Sequence, residues 1–570
     1  MAQPKALILA LDGATFDLIG PWVAEGRLPN LARLLREGVH GRLRSTTPPI
    51  TPCAWTSFST AQNPGRHGIF DFQQFVPGTY DLAPTNGALR RARTVWEYLN
   101  ERGLTVGLYN LPWMYPPPKL NGYCVCGFDA PDINPRAVHP PELSRELHAA
   151  VPGLSLAAEF LKKRDGVYDL GALRRQVQVN VAAARFLLTQ RPTDICLLTF
   201  MLLDQVAHFF YYADPAARGC GEAEDALLAV HEWVDEGLGE ILDLVPEECP
   251  VIGVSDHGVA PTTLHVNVAR ALAEAGLLVY GGDSGFRTQG SGGTDAARRE
   301  HTGGQPTAGL GGRGKRGLKR LLAAVLPSSV WLRLRRARHA RRSKERYAAV
   351  DWSRTRAFSW GNFAQVRLNL AGREPQGIVQ PGERATVIEE VKRVLLDLRD
   401  PVTGEPLFAA ALTPEELYSG PHTQGAADVL GIPAHSGVDA SLHLATPEAP
   451  LFVTRDAALA ASPGMAEKVA GHDPEGIFFA RGGPFAADRE ITGAGLCDVL
   501  PTLLHALSLE VPRGLDGSPL LGAFEPRFLA QHPVRYGETA LGEADSPEDE
   551  AYAEADREQV EARLRDLGYM

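Results

Sequence analysis

The chain has 570 residues, 44% hydrophobic and 22% charged, the make-up of a globular protein with a sizeable core. A formal net charge of −11 argues against a general nucleic-acid binder, which needs a basic face for phosphates, so no stable nucleic-acid binding is expected. Seven cysteines are thinly spread and only Cys124 and Cys126 are close, which argues against a disulfide framework or zinc ribbon and predicts a reducing, cytoplasmic setting.

Residues 6–11, ALILAL, form an apolar run too short for a signal sequence or a membrane span. They predict a buried strand that stops at Asp12-Gly13. Residues 29–37 predict a helix, with Pro29 at its first position and Leu31, Leu34 and Leu35 along one face. Prolines 48, 49 and 52 then hold the backbone extended around Thr51 and delay the next helix to about 54–61. Thr51 thus stands just before a helix N-terminus. Its hydroxyl can cap that helix, or it can be presented to an anion that also meets free N–H groups. Residues 63–68, NPGRHG, read as a tight turn in which His67 either lines a pocket or simply packs. A helix over 94–102, a strand over 105–109, a proline-rich loop over 112–118 and a helix over 179–188 follow. The weak strand signal between about 70 and 190 predicts cap elements over a sheet.

Residues 194–200 are a third core strand running into LLDQVAHFF. If that segment is helical, Asp204 and His208 share one face and can converge on one cation. A helix over 223–242 leads to the apolar run 251–254, which ends in Asp256-His257-Gly258. Chemistry in an open α/β sheet collects beyond the carboxyl ends of its strands. An adjacent carboxylate and imidazole at such an end can serve a metal, or can satisfy each other at a turn.

Gly, Thr and Ser enrich residues 281–317, as in a flexible excursion. Between Arg313 and Arg346 there are thirteen Lys or Arg residues and one acid, Glu345, with Leu318, Leu321, Leu322, Val325 and Trp331 as apolar anchors. This basic stretch, 313–346, can lie on an anionic membrane at the inner face, pack on the acidic body of its own protein, or steer an anionic substrate. A strand over 365–370, a helix over 386–398, His472 ahead of a short strand at 477–480, and a helix over 497–507 complete the pattern. Residues 543–566 read as an acidic, helical or frayed tail. The expected organisation is an N-terminal catalytic part over 1–275, the excursion and basic insertion over 276–350, a C-terminal catalytic part over 351–530 and an acidic tail over 531–570.

The candidates are therefore Asp12, Thr51, Asp204, His208, Asp256, His257 and His472, with His422 and His435 as rivals of the last. Three carboxylates and three imidazoles without a thiolate suit two divalent cations, Zn²⁺ or Mn²⁺. Taken in order, LDGATFD, TPPITPCAWTSFSTAQNPGRHGIF, LLDQVAHFF, VSDHG and GHDPEGIFFARG resemble the type I phosphodiesterase/nucleotide pyrophosphatase branch of the alkaline phosphatase superfamily. The resemblance spans about 5–275 and 350–525. It implies a three-layer α/β/α sandwich with a mostly parallel central sheet, carrying cap elements and the basic insertion. It implies also that Asp204, His208 and His472 hold one metal, that Asp12, Asp256 and His257 hold the second, and that Thr51 between them is the nucleophile. A phosphothreonine intermediate and a small phosphate ester or nucleotide-type substrate follow from the same resemblance.

Two departures bear on specificity. Thr51 is followed by Pro52-Cys53-Ala54-Trp55, which lacks the arginine of sulfatases and the phosphate-binding asparagine of eukaryotic-type nucleotide pyrophosphatases. A phosphomonoesterase or phosphonate hydrolase thus stays open beside a diesterase. Trp55, Phe72 and Trp113 are candidates for a diesterase's aromatic shelf, and Arg66 or Arg373 for a monoesterase's extra donors. A non-catalytic protein that docks on membranes or partners is the contrasting class. Oligomeric state is not legible.

Overall fold

The structure, a computed structural model, describes residues 3–156, 169–211, 221–281, 347, 349–440, 450–454, 468–544, 552, 554–567 and 569. The basic segment 313–346 and most of the Gly-rich excursion lie outside the described residues. Within the described residues no helix is long and apolar enough to cross a membrane.

In chain order the elements used below are β1 (Ala6–Leu11), α1 (Pro29–Glu37), β2 (Val39–Arg44), α2 (Thr51–Thr60), α3 (Val95–Glu101), β3 (Val106–Leu111), β4 (Gly122–Cys126) and β5 (Val138–His139). Then come α4 (Leu170–Gln190), β6 (Ile195–Phe200), α5 (Leu202–Phe210), α6 (Gly221–Leu242), β7 (Val251–Val254), β8 (Gly258–Pro261), β9 (Ala357–Trp360) and β10 (Ala364–Leu368). The chain continues through α7 (Arg384–Leu396), β11 (Phe408–Leu412), β12 (Val429–Pro433), β13 (Ala470–Asp473), β14 (Glu475–Arg481), α8 (Val499–Ala506) and α9 (Glu554–Asp566).

The central sheet runs β2-β14-β7-β1-β6-β3-β4-β5, with short edge strands beside β2. Strands β7, β1, β6, β3 and β4 are mutually parallel, while β14 and β5 run against their neighbours. Strand β1 lies at the centre and is buried on both faces, which is why it reads as an unbroken apolar run. Leu7, Leu9 and Leu11 enter one apolar cluster together with side chains of α1, α4, α5 and α6. Ala6, Ile8 and Ala10 enter the other with α2, α3 and α8. The result is the expected α/β/α sandwich around a mostly parallel sheet.

Strands β9, β10, β12 and β11 form a separate four-stranded antiparallel sheet. With α7 it encloses a core of its own around Phe358, Val366, Val387, Val391 and Val429. The chain rejoins the main sheet only at β14.

Local readings shift in two places. Helix α2 begins at Thr51 rather than near residue 54, because Pro52 in the first turn lacks only an N–H that would have no intrahelical acceptor. His472 does not merely precede a strand. It lies within β13, which pairs antiparallel with β8 so that Val259 faces His472.

Candidate active site

Strands β1, β6 and β7 each hand an acidic group to a common buried cluster at their carboxyl ends. Asp12 follows β1 directly, Asp204 lies in the first turn of α5 just past β6, and Asp256 and His257 follow β7. One helical turn beyond Asp204, His208 occupies the same face. The β8–β13 ladder brings His472 across from a distant part of the chain. Asp12, Thr51, Asp204, His208, Asp256 and His257 are all fully buried, and the His472 side chain is 6% exposed.

Three imidazoles point the same kind of atom inward. His208 Nδ1 donates to the carbonyl of Ala470 at 2.7 Å and His257 Nδ1 to that of Gly258 at 2.9 Å. Those bonds fix the tautomers of His208 and His257 and leave the Nε2 lone pair of each pointing inward. His208 Nε2 lies 3.1 Å from His472 Nε2, His472 stacks on His257 with ring centres 3.9 Å apart, and His257 Nε2 lies 3.4 Å from Thr51 Oγ1. The Thr51 hydroxyl therefore donates toward His257. Asp204 Oδ2 is 3.3 Å from His208 Nε2 and its Oδ1 is 3.7 Å from His472 Nε2. Asp256 Oδ2 is 3.3 Å from His257 Nε2. Trp55 Nε1 donates to Asp12 Oδ2 at 2.6 Å, and the Gly13 N–H donates to Asp256 Oδ1 at 3.3 Å.

The electrostatics of this cage are those of crowded, desolvated anions. Burial first, then the neighbouring Asp256 and Asp204, pushes the Asp12 carboxyl well above its ordinary range. Burial and Asp204 do the same to Asp256. Burial pushes Asp204 up as well, but His208, His472 and His257 around it outweigh that and hold it well below the usual carboxylate range. Burial lowers His257 to about 4, and burial and the neighbouring His257 hold His472 well below its ordinary value.

The donor set fits divalent metal. Asp12 Oδ1, Asp204 Oδ1 and Asp256 Oδ2 are buried without any hydrogen-bond partner, which is costly unless something positive satisfies them. The ligand atoms of Asp204, His208 and His472 lie within 4.8 Å of one another, and so do those of Asp12, Asp204 and His257. Asp204 belongs to both groups.

The remaining candidates fall elsewhere. His67 bonds Ser57 Oγ at 2.8 Å and accepts from the Ile69 N–H, so it is a packed core histidine. Arg66 pairs with Asp516, and Arg373 with Asp428 and Glu374 at the small sheet. Neither His422 nor His435 joins a converging group among the described residues. Trp113 is buried and donates to Thr85 Oγ1, while Phe72 stacks on Tyr569. Sequence reasoning missed Gly13, Lys468 and Tyr569. The Asp-Gly step after β1 was a usable signal for Gly13. Lys468, near Asp204, and Tyr569, bonded to it, carried none.

Fold and site together make an α/β enzyme frame whose buried Asp and His groups at the sheet's rim could hold metal ions. The family model "Type I phosphodiesterase / nucleotide pyrophosphatase" matches residues 6–447. The chain belongs to that family and is a phosphodiester hydrolase. A comparison with curated proteins finds no match. Among solved structures, the chain is similar to murine ectonucleotide pyrophosphatase/phosphodiesterase 5, in an inactive form in complex with AMP, at 13% identity and a TM-score of 0.45. That alignment covers 89% of this chain and 96% of that one. For human ectonucleotide pyrophosphatase/phosphodiesterase 5 the values are 11% and 0.45, with 90% and 97% covered.

Proposed function

We propose that the protein cleaves nucleotide-type phosphodiesters through a phosphothreonine on Thr51, using two divalent cations, Zn²⁺ or Mn²⁺. Asp204, His208 and His472 would hold one, and Asp12, Asp256 and His257 the other, with Asp204 close to both. The observation that carries this reading is the buried hydroxyl of Thr51, whose Oγ1 lies 3.4 Å from the inward-facing Nε2 of His257, beside a cluster in which Asp12, Asp204 and Asp256 each keep an unpartnered buried oxygen. Dications held by these residues would supply positive charge that favours loss of the Thr51 hydroxyl proton and offsets negative charge on the phosphoryl group.

The chain's own contribution is placement. The first intrahelical bond of α2 runs from Ala54 N to Ile50 O, so the N–H groups of Thr51 and Cys53 have no intrahelical acceptor and can take a phosphoryl oxygen. Thr51 Oγ forms a bond to phosphorus as the bond to the leaving alcohol breaks, and the alcohol oxygen takes up a proton. Water then attacks the phosphothreonine, the bond to Thr51 Oγ breaks, and the hydroxyl regains its proton. Burial keeps bulk water away from the first step.

Arg66 pairs with Asp516 and Arg373 with Asp428, so neither arginine is a spare donor for a monoester, and Lys468 near Asp204 is the cation to test in the diester reading. A monoester's additional charge calls for such donors. A reducing, cytoplasmic setting is part of the same reading, supported by six cysteines that are all free among the described residues.

Metal-stripped protein reloaded with Zn²⁺ or Mn²⁺ should cleave a nitrophenyl phosphodiester, with kcat/KM above that for the monoester. A panel of nucleotide sugars, dinucleotides and simple diesters would rank natural classes. Full metal-dependent turnover by Thr51→Ala, or no acid-stable phosphate on Thr51 after quenching, would overturn the mechanism.

A further inference from the structure

Helix α9 belongs to neither layer of the sandwich. Its Val560 and Leu564 pack in a cluster with Cys53, Phe72, Phe128 and Met201, on the flank of the active site. The Arg563 guanidinium donates to the carbonyls of Phe128 at 2.9 Å and Pro131 at 2.6 Å, and also to that of Ala130, so the helix is held in a fixed pose on one loop. Beyond it, Tyr569 is buried with its ring stacked on Phe72, 4.7 Å between centres and 11° between planes. The His208 ring meets it edge-on at 5.6 Å. Asn362 Nδ2 donates to the Tyr569 carbonyl at 3.3 Å, and Asn362 is itself fastened to Asp71. The Tyr569 hydroxyl donates to Asp204 Oδ2.

We propose that Tyr569 is a positioning residue for the cation cage: its hydroxyl ties down Asp204 Oδ2, so that the partnerless Oδ1 and the second lone pair of Oδ2 are presented to the metals. This rests on the function proposed above. Asp204 is the one carboxylate near both groups of ligands, so its orientation bears on both cations. The terminal torsion of an aspartate is broad, and a ligating carboxylate is normally steadied by a hydrogen bond to its other oxygen. Trp55 does this for Asp12 and the Gly13 N–H for Asp256. Tyr569 is the matching donor for Asp204. Its ring, clamped by Phe72 and by the Asn362 bond, cannot swing the hydroxyl away without breaking the packing that anchors α9. The phenol is thus a support for a ligand, held beside the cage by the chain that follows α9.

The test is metal affinity of the metal-stripped full chain, measured by chelator competition with Zn²⁺ and Mn²⁺ for wild type, Tyr569→Phe and Asp204→Asn. Tyr569→Phe keeps the ring stack and removes only the hydroxyl. Its affinity should fall about 10- to 100-fold with the stoichiometry unchanged. Its melting temperature should drop more in the presence of metal than in its absence, because the lost support weakens the metal's contribution to stability. An equal drop in both conditions, or affinity equal to or tighter than wild type while Asp204→Asn binds weakly, would overturn the inference alone. Wild type that takes up no cation, or uptake insensitive to Asp204→Asn, would overturn the proposed function itself.

Discussion

A Cβ on Gly13 would lie 2.6 Å from the Cβ of Asp204, and Gly13 holds φ at +68°. The turn after β1 thus passes directly against the first turn of α5, bringing the carboxylates of two strands into one cage. Gly13→Ala should cost about 1–3 kcal/mol through left-handed strain and contact. It should also displace Asp204 and weaken cation uptake at least several-fold. Denaturant melts and metal titration of the same sample check both.

Trp55 reaches from α2 to the end of β1 with a single N–H. Trp55→Phe leaves Asp12 Oδ2 without its donor, so metal affinity should fall roughly 10-fold or more. The smaller ring and lost bond should also cost about 1–3 kcal/mol of stability. Metal affinity by chelator competition and unfolding in urea separate the two effects.

Gly253 and Phe479 are direct partners across the β7–β14 ladder, and a Cβ at 253 would meet the Phe479 ring at 2.0 Å. Gly253→Ala should destabilise the fold by about 1–3 kcal/mol through overpacking. In the background of Phe479→Leu, which removes the obstructing ring, the same substitution should cost less. A double-mutant cycle reads the coupling, expected to be at least about 0.5 kcal/mol.

His231 lies outside the site, buried against Trp22 with its Nδ1 donating to the Leu227 carbonyl, and burial lowers it from 6.5 to about 4. The folded state therefore favours the neutral ring more than the unfolded chain does. Its stability contribution is full above pH 6.5 and is lost as pH falls through about 4, with a slope approaching about 1.4 kcal/mol per pH unit. His67, lowered to about 3, extends the same trend to lower pH. In chelator-treated protein, urea midpoints should fall over this window. His231→Phe should make the profile shallower by one proton, and a difference profile without slope would refute the assignment.

The parts of this protein that the sequence determined by itself are those set by local pattern. An unbroken apolar run such as residues 6–11 must be a strand buried on both faces, and a carboxylate at its end must stand at the sheet's rim. Four-residue spacing puts Asp204 and His208 on one helix face wherever that helix goes. Asp12, Thr51, Asp204, Asp256, His257 and His472 were accordingly legible as a group. Tertiary structure alone decided how they share the space. Asp204 sits between both sets of ligands because β6 pairs directly with β1, and His472 arrives through a ladder with β8, which no periodicity announces. Tyr569 contacts Asp204 across 365 positions of chain. A lone tyrosine after an acidic helix has no local signature, since its role comes entirely from the surfaces that α9 happens to meet. The separate core of the small sheet, and the pairing of Arg373 with Asp428 within it, were hidden for the same reason. Strand and helix patterns state which face is apolar, and only packing selects the partner that covers it.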